Sequence, residues 1–187
     1  MLLPAVLVVQ AKARVSAAKQ EMNAISLALS AFEQEYGRYP TKDSADEVKT
    51  DGSDLFYGVD NNWKVHMEGD AVNNYVKGYY TFFDVLSYAN HNSANDDPTA
   101  FVKSQNSRKK TFLDVDGNYF GPETSCGIRD PWENTYVVAI DANGDGKITI
   151  PGALTKTGSD LTVHKSICII SVGADDTNKD DLIYSWD

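Results

Sequence analysis

The sequence predicts an α+β fold: a long N-terminal α-helix packed on a small antiparallel β-sheet, with an enlarged loop region between the two. Three observations carry this expectation. Residues 5–36 contain neither proline nor glycine and are dominated by Ala, Lys, Gln, Glu and Leu, the composition of an uninterrupted helix. The last third holds short β-branched and aromatic runs separated by Gly, Asp and Asn, the pattern of an antiparallel meander. The intervening chain is polar and rich in turn residues. A length of 187 residues suits one domain. It divides into an N-terminal helix over 1–37 and a globular part over 38–187, the latter comprising a variable region 41–128 and a C-terminal sheet over 129–187.

The helix has two characters. From Val15 onward the apolar residues fall at Val15, Ala18, Met22, Ile25, Leu29, Phe32 and Tyr36. Their spacing alternates between three and four, so they form one narrow stripe, expected to dock on the chain's own sheet. Residues 5–13, centred on Val6, Leu7, Val8 and Val9, are instead apolar nearly all round. A one-sided core cannot cover such a segment, and contact with other copies is expected. At 1.5 Å per residue the 32-residue helix is a rod of about 48 Å. Gly37 is a natural residue to end it, and Tyr39-Pro40 prevents its continuation. The apolar run 2–9 is shorter than the ~20 residues a bilayer span needs. It also lacks the basic flank and cleavage site of a secretory signal, and reads as the tail of a longer apolar segment.

Further along, residues 41–74 read as loop, with turn signals at Asp51-Gly52 and Asn61-Asn62. Residues 79–89 suit a short amphipathic helix. An exposed loop is expected over 90–110, where Arg108-Lys109-Lys110 reads as a solvated basic turn rather than a binding patch. Strands are expected at 111–115, 135–140, 147–150 and 166–172, with the helix stripe covering one face of the sheet.

The formal charge is −10. Residues 1–40 carry Lys12, Arg14, Lys19 and Arg38 against Glu21, Glu33 and Glu35, so the other 147 residues carry −11. Such a domain offers no basic face for nucleic acid; it is either simply soluble or binds cations. His66, His91 and His164 lie in unrelated segments, and there is no H-E-x-x-H or nucleophile elbow, so no enzyme is expected. Cys126 and Cys168 stand 42 positions apart without a C-x-x-C pair; they form either one disulfide or two separate thiols.

Two acidic loops bear on cations. Asp141, Asn143 and Asp145, followed by Gly146, match the first half of an EF-hand loop, with oxygen donors at positions 1, 3 and 5 and glycine at 6. Position 12 is Gly152 rather than glutamate, so a full EF-hand is excluded. A partial calcium loop or a tight Asn-Gly/Asp-Gly turn remains. The second loop, 175–181, holds Asp175, Asp176, Asp180 and Asp181. Four carboxylates repel one another unless solvent separates them or a hard cation gathers them.

Three segments in order carry a resemblance. The opening LLPAVLVVQAKARVSAAKQEMNAISLALSAFEQEYGRYPT resembles the N-terminal helix of type IV pilins and type II secretion pseudopilins, including the G-x-Y-P that follows it. Asp130-Pro131-Trp132-Glu133-Asn134-Thr135-Tyr136 is similar to the D-P-W-G-x-x-Y element of the major pseudopilin, with Glu133 in place of the glycine. Ser171-Val172-Gly173-Ala174-Asp175, with Asp180, Asp181, Ile183 and Trp186, resembles its S-x-G-A-D…D-D-I-x-x-W ending.

The resemblance implies a pilin-like fold and a structural subunit that polymerises through its N-terminal helix into a secretion pseudopilus. The alternatives are a surface pilus serving adhesion or motility, and, outside this class, a monomeric calcium-dependent binding module. It implies calcium at Asp175, Asp180 and Asp181. The implied partners are other copies of the chain, an assembly machinery and, before assembly, the inner membrane, with the globular domain outside the cytoplasm. It further implies that the family's peptidase site and most of its apolar stretch would precede Met1 of this sequence. The variable region is longer than in secretion pseudopilins.

Overall fold

The computed structural model describes residues 3–41, 49–51, 54–65, 74–89, 97–114, 128–175 and 177–187, with side chains described from residue 7 in the first helix and from residue 78 in the second. Helix α1 spans Leu3–Tyr36, 34 residues, as the unbroken composition requires. Strands β1 (Lys49–Asp51) and β2 (Asp54–Tyr57) follow, then helices α2 (Asn74–Ser87) and α3 (Ala100–Gln105). Strands β3 (Val137–Ile140), β4 (Ile148–Ile150), β5 (Leu161–Val163), β6 (Ile167–Ser171) and β7 (Ile183–Tyr184) complete the chain.

The main sheet has the order β1-β2-β3-β6-β7, and each neighbouring pair is antiparallel. It is a meander into which the separate β4–β5 ribbon is inserted between β3 and β6. The α+β class and the helix-on-sheet layering are as expected. The strand repeat of two sorts the sheet residues onto two faces. Tyr57, Val138, Ile140, Ile169 and Ile183 face the helices. Phe56, Val137, Ala139, Cys168, Ile170 and Tyr184 pack with Ile148, Ile150 and Leu154 on the opposite side.

Helix α1 lies against β6, β7 and α2. Ala18, Met22, Ile25, Leu29 and Phe32 are buried, and Tyr36 is partly buried against the same core. Val15, expected in this stripe, is 36% exposed: the domain ends near Ala18 and the helix continues beyond it. The far end is held by Asn106, which is buried. Its Oδ1 accepts from Tyr36 Oη (2.7 Å) and Lys110 N (2.9 Å), while its Nδ2 donates to Val85 O (2.9 Å) and Lys110 O (2.6 Å). One amide thereby ties α1, α2 and the chain after α3 together.

Three expectations about the middle of the chain are corrected. Residues 41–74 contain β1 and β2, and β2 is an inner strand paired with β3, so the sheet extends into the variable region. Its Phe56 and Tyr57 are buried, and the core gained there outweighs the polar flanks. Residues 90–110 contain α3, whose first turn is capped by Thr99 Oγ1 accepting from Val102 N (3.2 Å). Among described residues, 111–114 form no strand; Phe112 N donates to Leu86 O (2.8 Å) and its ring packs 5.2 Å from Phe32. The basic turn 108–110 is exposed, as expected, and Arg108 and Lys110 both pair with Glu35, whose carboxyl they hold below its ordinary value. Those two members of the basic turn are tethered to α1.

Candidate functional site

The two C-terminal motif segments meet in one buried network. Asp130 is 4% exposed. Its Oδ1 accepts from Trp132 N (3.0 Å) and Asn134 N (2.9 Å), and its Oδ2 from Ser171 Oγ (2.5 Å). Ser171 Oγ in turn accepts from Gly173 N (3.1 Å), and Asn134 Nδ2 donates to Gly173 O (2.9 Å). The Asp-Pro-Trp turn is thus bolted to the strand end that opens the acidic C-terminal loop. Burial outweighs these donors and raises the Asp130 carboxyl above its ordinary value. Gly173 has φ +73°, and a Cβ there would stand 2.3 Å from Asp181 O. Only glycine lets the two ends of the loop approach this closely.

The turn itself reverses the chain between the bridged residues Arg129 and Thr135. Glu133 N donates to Asp130 O (2.9 Å) and Asp130 N to Asn134 O (2.8 Å), with Pro131 at the position that suits its fixed φ. Glu133 has φ +72°, the left-handed conformation that glycine adopts without strain. Glu133→Gly is therefore expected to stabilise the fold by about 1 kcal/mol or less, since relieved strain exceeds the added chain entropy. A thermal melt reads this as a rise of about 2 °C; a fall would show that the Glu133 side chain contributes more than its backbone conformation costs.

Beyond Gly173, Asp175 Oδ1 accepts from Thr177 N (2.9 Å) and Thr177 Oγ1 (2.6 Å), which holds its carboxyl below the ordinary value. Asn178 caps a single 3-10 turn, Lys179–Asp181, through Asp180 N (3.2 Å). Asp175 and Asp180 are exposed and Asp181 is partly buried. Their oxygens are the donor type calcium takes. The described residues contain no group of three His, Cys, Asp or Glu side chains placed to hold a metal, and Asp176 lies outside the described residues.

The other acidic loop is organised from within. Asp141 is 5% exposed, and its carboxylate accepts from Gly144 N (2.7 Å), Asp145 N (3.2 Å) and Gly146 N (2.8 Å). Asn143 Oδ1 accepts from Asp145 N (2.7 Å). Gly144 and Gly146 both have positive φ. The loop is a hydrogen-bonded turn leading from β3 to β4.

No family model, curated protein or solved structure matches the chain.

A groove of about 380 Å³ opens beside the network, where α1 leaves the domain. Val15 and Lys19 of α1 form one wall, Trp132 another, and Asp180, Asp181 and Asp187 line it together with Lys156 and Leu182. Above it the helix stands free: residues 7–16 are all exposed, with Leu7 at 62%, Val8 at 55% and Val9 at 66%. Val6 lies in α1, but its side chain falls outside the described residues. No helix is long and apolar enough to cross a membrane among the described residues. Cys168 is buried and has no disulfide partner among the described residues; its thiol is raised to about 12 mainly by desolvation. Cys126, and with it the suggested disulfide, lies outside the described residues.

In the sequence, Asp130 and Asn134 stand only as motif letters, and Ser171 only as part of the Ser171–Gly173 turn whose carbonyls the resemblance offers to calcium. Sequence reasoning missed Lys19, Trp132 and Asp187 as walls of one groove. Asp-Pro signals a turn, but pairing across 41 positions has no local signature.

Proposed function

We propose that the chain is a structural subunit of a pilin-like filament, most like a secretion pseudopilin, that assembles through the free part of α1. The observation that carries this is the exposure of residues 7–16 on every side, including three large aliphatic residues in succession. A solitary domain gains nothing from such a segment. Buried between copies, each Leu or Val side chain would contribute about 1.5–3 kcal/mol. The stripe from Ala18 to Phe32 supports the same division of labour, because it consumes the lower half of the helix in the chain's own core. The role is structural rather than catalytic, with the globular domain outside the cytoplasm. A surface pilus subunit shares these features.

The test uses a photo-crosslinking residue at Val9 in the purified full chain, with the same residue at exposed Leu161 as reference. Multimers whose yield grows with concentration from Val9, and stay low from Leu161, are expected. Monomer alone from Val9 across the concentration range overturns the proposal.

We further propose that calcium binds the loop bearing Asp175, Asp180 and Asp181, on the strength of its oxygen donors and the tight Gly173–Asp181 closure that anchors it. The expected result is a calcium-dependent rise in Tm, equivalent to about 2.7 kcal/mol at a hundredfold excess over Kd. Asp180→Ala and Asp181→Ala should abolish it. Identical melts of the parent in calcium and in chelator would dispose of the metal.

A further inference from the structure

The groove beside the free helix and the charge on that helix are complementary. Residues 1–20 carry Lys12, Arg14 and Lys19 and no acid, so residues 21–187 carry −13 of the total −10. The free segment is therefore basic and apolar, while the domain below it is strongly acidic. The groove has the same mixture in reverse. Val15, Trp132 and Leu182 supply apolar wall, and Asp180, Asp181 and Asp187 supply three carboxylates. Lys19 and Lys156 also reach it, so acid remains in excess by one. Asp180 and Asp187 are exposed, and none of the three has its carboxylate in an ion pair among the described residues.

We propose that this groove receives a second copy of the chain, which enters it with residues 7–14 of its own α1. This rests on the reading of α1 as an assembly element and names the surface it meets. The incoming helix would lie beside the resident one, because Ala11, Val15 and Lys19 form a wall of the groove. Leu7, Val8 or Val9 would meet Trp132 and Leu182, and Lys12 and Arg14 the carboxylates. Trp132, Leu182 and the groove's carboxylates lie outside the incoming segment, so the contact is heterologous and propagates from copy to copy instead of closing as a pair. Opposite charge also steers the encounter and fixes its register.

The experiment keeps the Val9 photo-crosslinker in the full chain and works in chelator, so that metal does not occupy Asp180 and Asp181, which the groove shares with the proposed calcium loop. Peptide mapping of the adduct is expected to place it on residues 173–187 or on Trp132. Lys12→Glu with Arg14→Glu should weaken association about fivefold, as loss of two exposed ion pairs allows. Asp180→Lys with Asp187→Lys should do the same, and all four changes together should restore it. Adducts mapping to another face, or doubles as competent as the parent, overturn the groove assignment while leaving the filament reading intact. A quadruple variant as weak as the doubles also overturns it. Absence of any multimer from the parent removes both proposals.

Discussion

Asp130→Ala is expected to destabilise the domain by about 4 kcal/mol, because it leaves three donors without an acceptor at a cost of roughly 1–3 kcal/mol each, less the relief of a desolvated charge. The donors are Trp132 N, Asn134 N and Ser171 Oγ, and the carboxylate they share is 4% exposed. Asp130→Asn separates the two contributions. Its oxygen can keep the two backbone donors, and its amide can donate to Ser171 Oγ, so a milder loss of about 1–2 kcal/mol is expected. The two variants also differ from the parent in pH dependence. Burial raises the folded-state carboxyl above its unfolded value, so the parent binds this proton more tightly when folded. Its contribution is largest below the unfolded value and is lost as pH rises through the raised folded one. Neither variant retains that slope. Denaturant melts from acid to neutral pH read both effects; an unchanged parent-like slope in Asp130→Asn would show that another group carries it.

Phe32→Ala is expected to cost about 3–5 kcal/mol, a fall in Tm of about 10 °C for a chain of this size. Phe32 has no exposed surface. Its ring lies 4.5 Å from that of Tyr36 and 5.2 Å from that of Phe112, with the Arg38 guanidinium 5.9 Å from its centroid. Removing it opens a cavity where α1, α2 and the segment after α3 converge. Leu27→Ala is the control: Leu27 lies on the same helix but is 71% exposed. Equal losses in the two variants would mean that the burial of the stripe does not stabilise the domain.

Much of the fold was legible because it rests on periodicity. The three-and-four spacing located the buried face of α1, and β3, β4 and β6 fell within the strands expected from their β-branched runs. What failed depends on tertiary context. Val15 continues the stripe perfectly, yet the domain ends below it. Strand β2 is four residues long between turn signals, and only its place beside β3 makes it a strand. Helix α3 has six residues and depends on Thr99 and the burial of Val102. The run 111–114 has strand composition but spends it on packing against α1 and α2. At the site, the motif letters were visible, while the bonds joining Asp130 to Ser171 span 41 positions and arise only after the sheet forms.

The free stretch of α1 contributes no buried side chain between residues 7 and 16. A lesion there should leave calorimetry, circular dichroism and protease resistance of the isolated domain untouched. Variant screens that sort by thermal robustness would pass such chains as healthy, however incompetent they were to associate. The reverse also holds: the overhang can be redesigned for new neighbours without renegotiating the architecture beneath it.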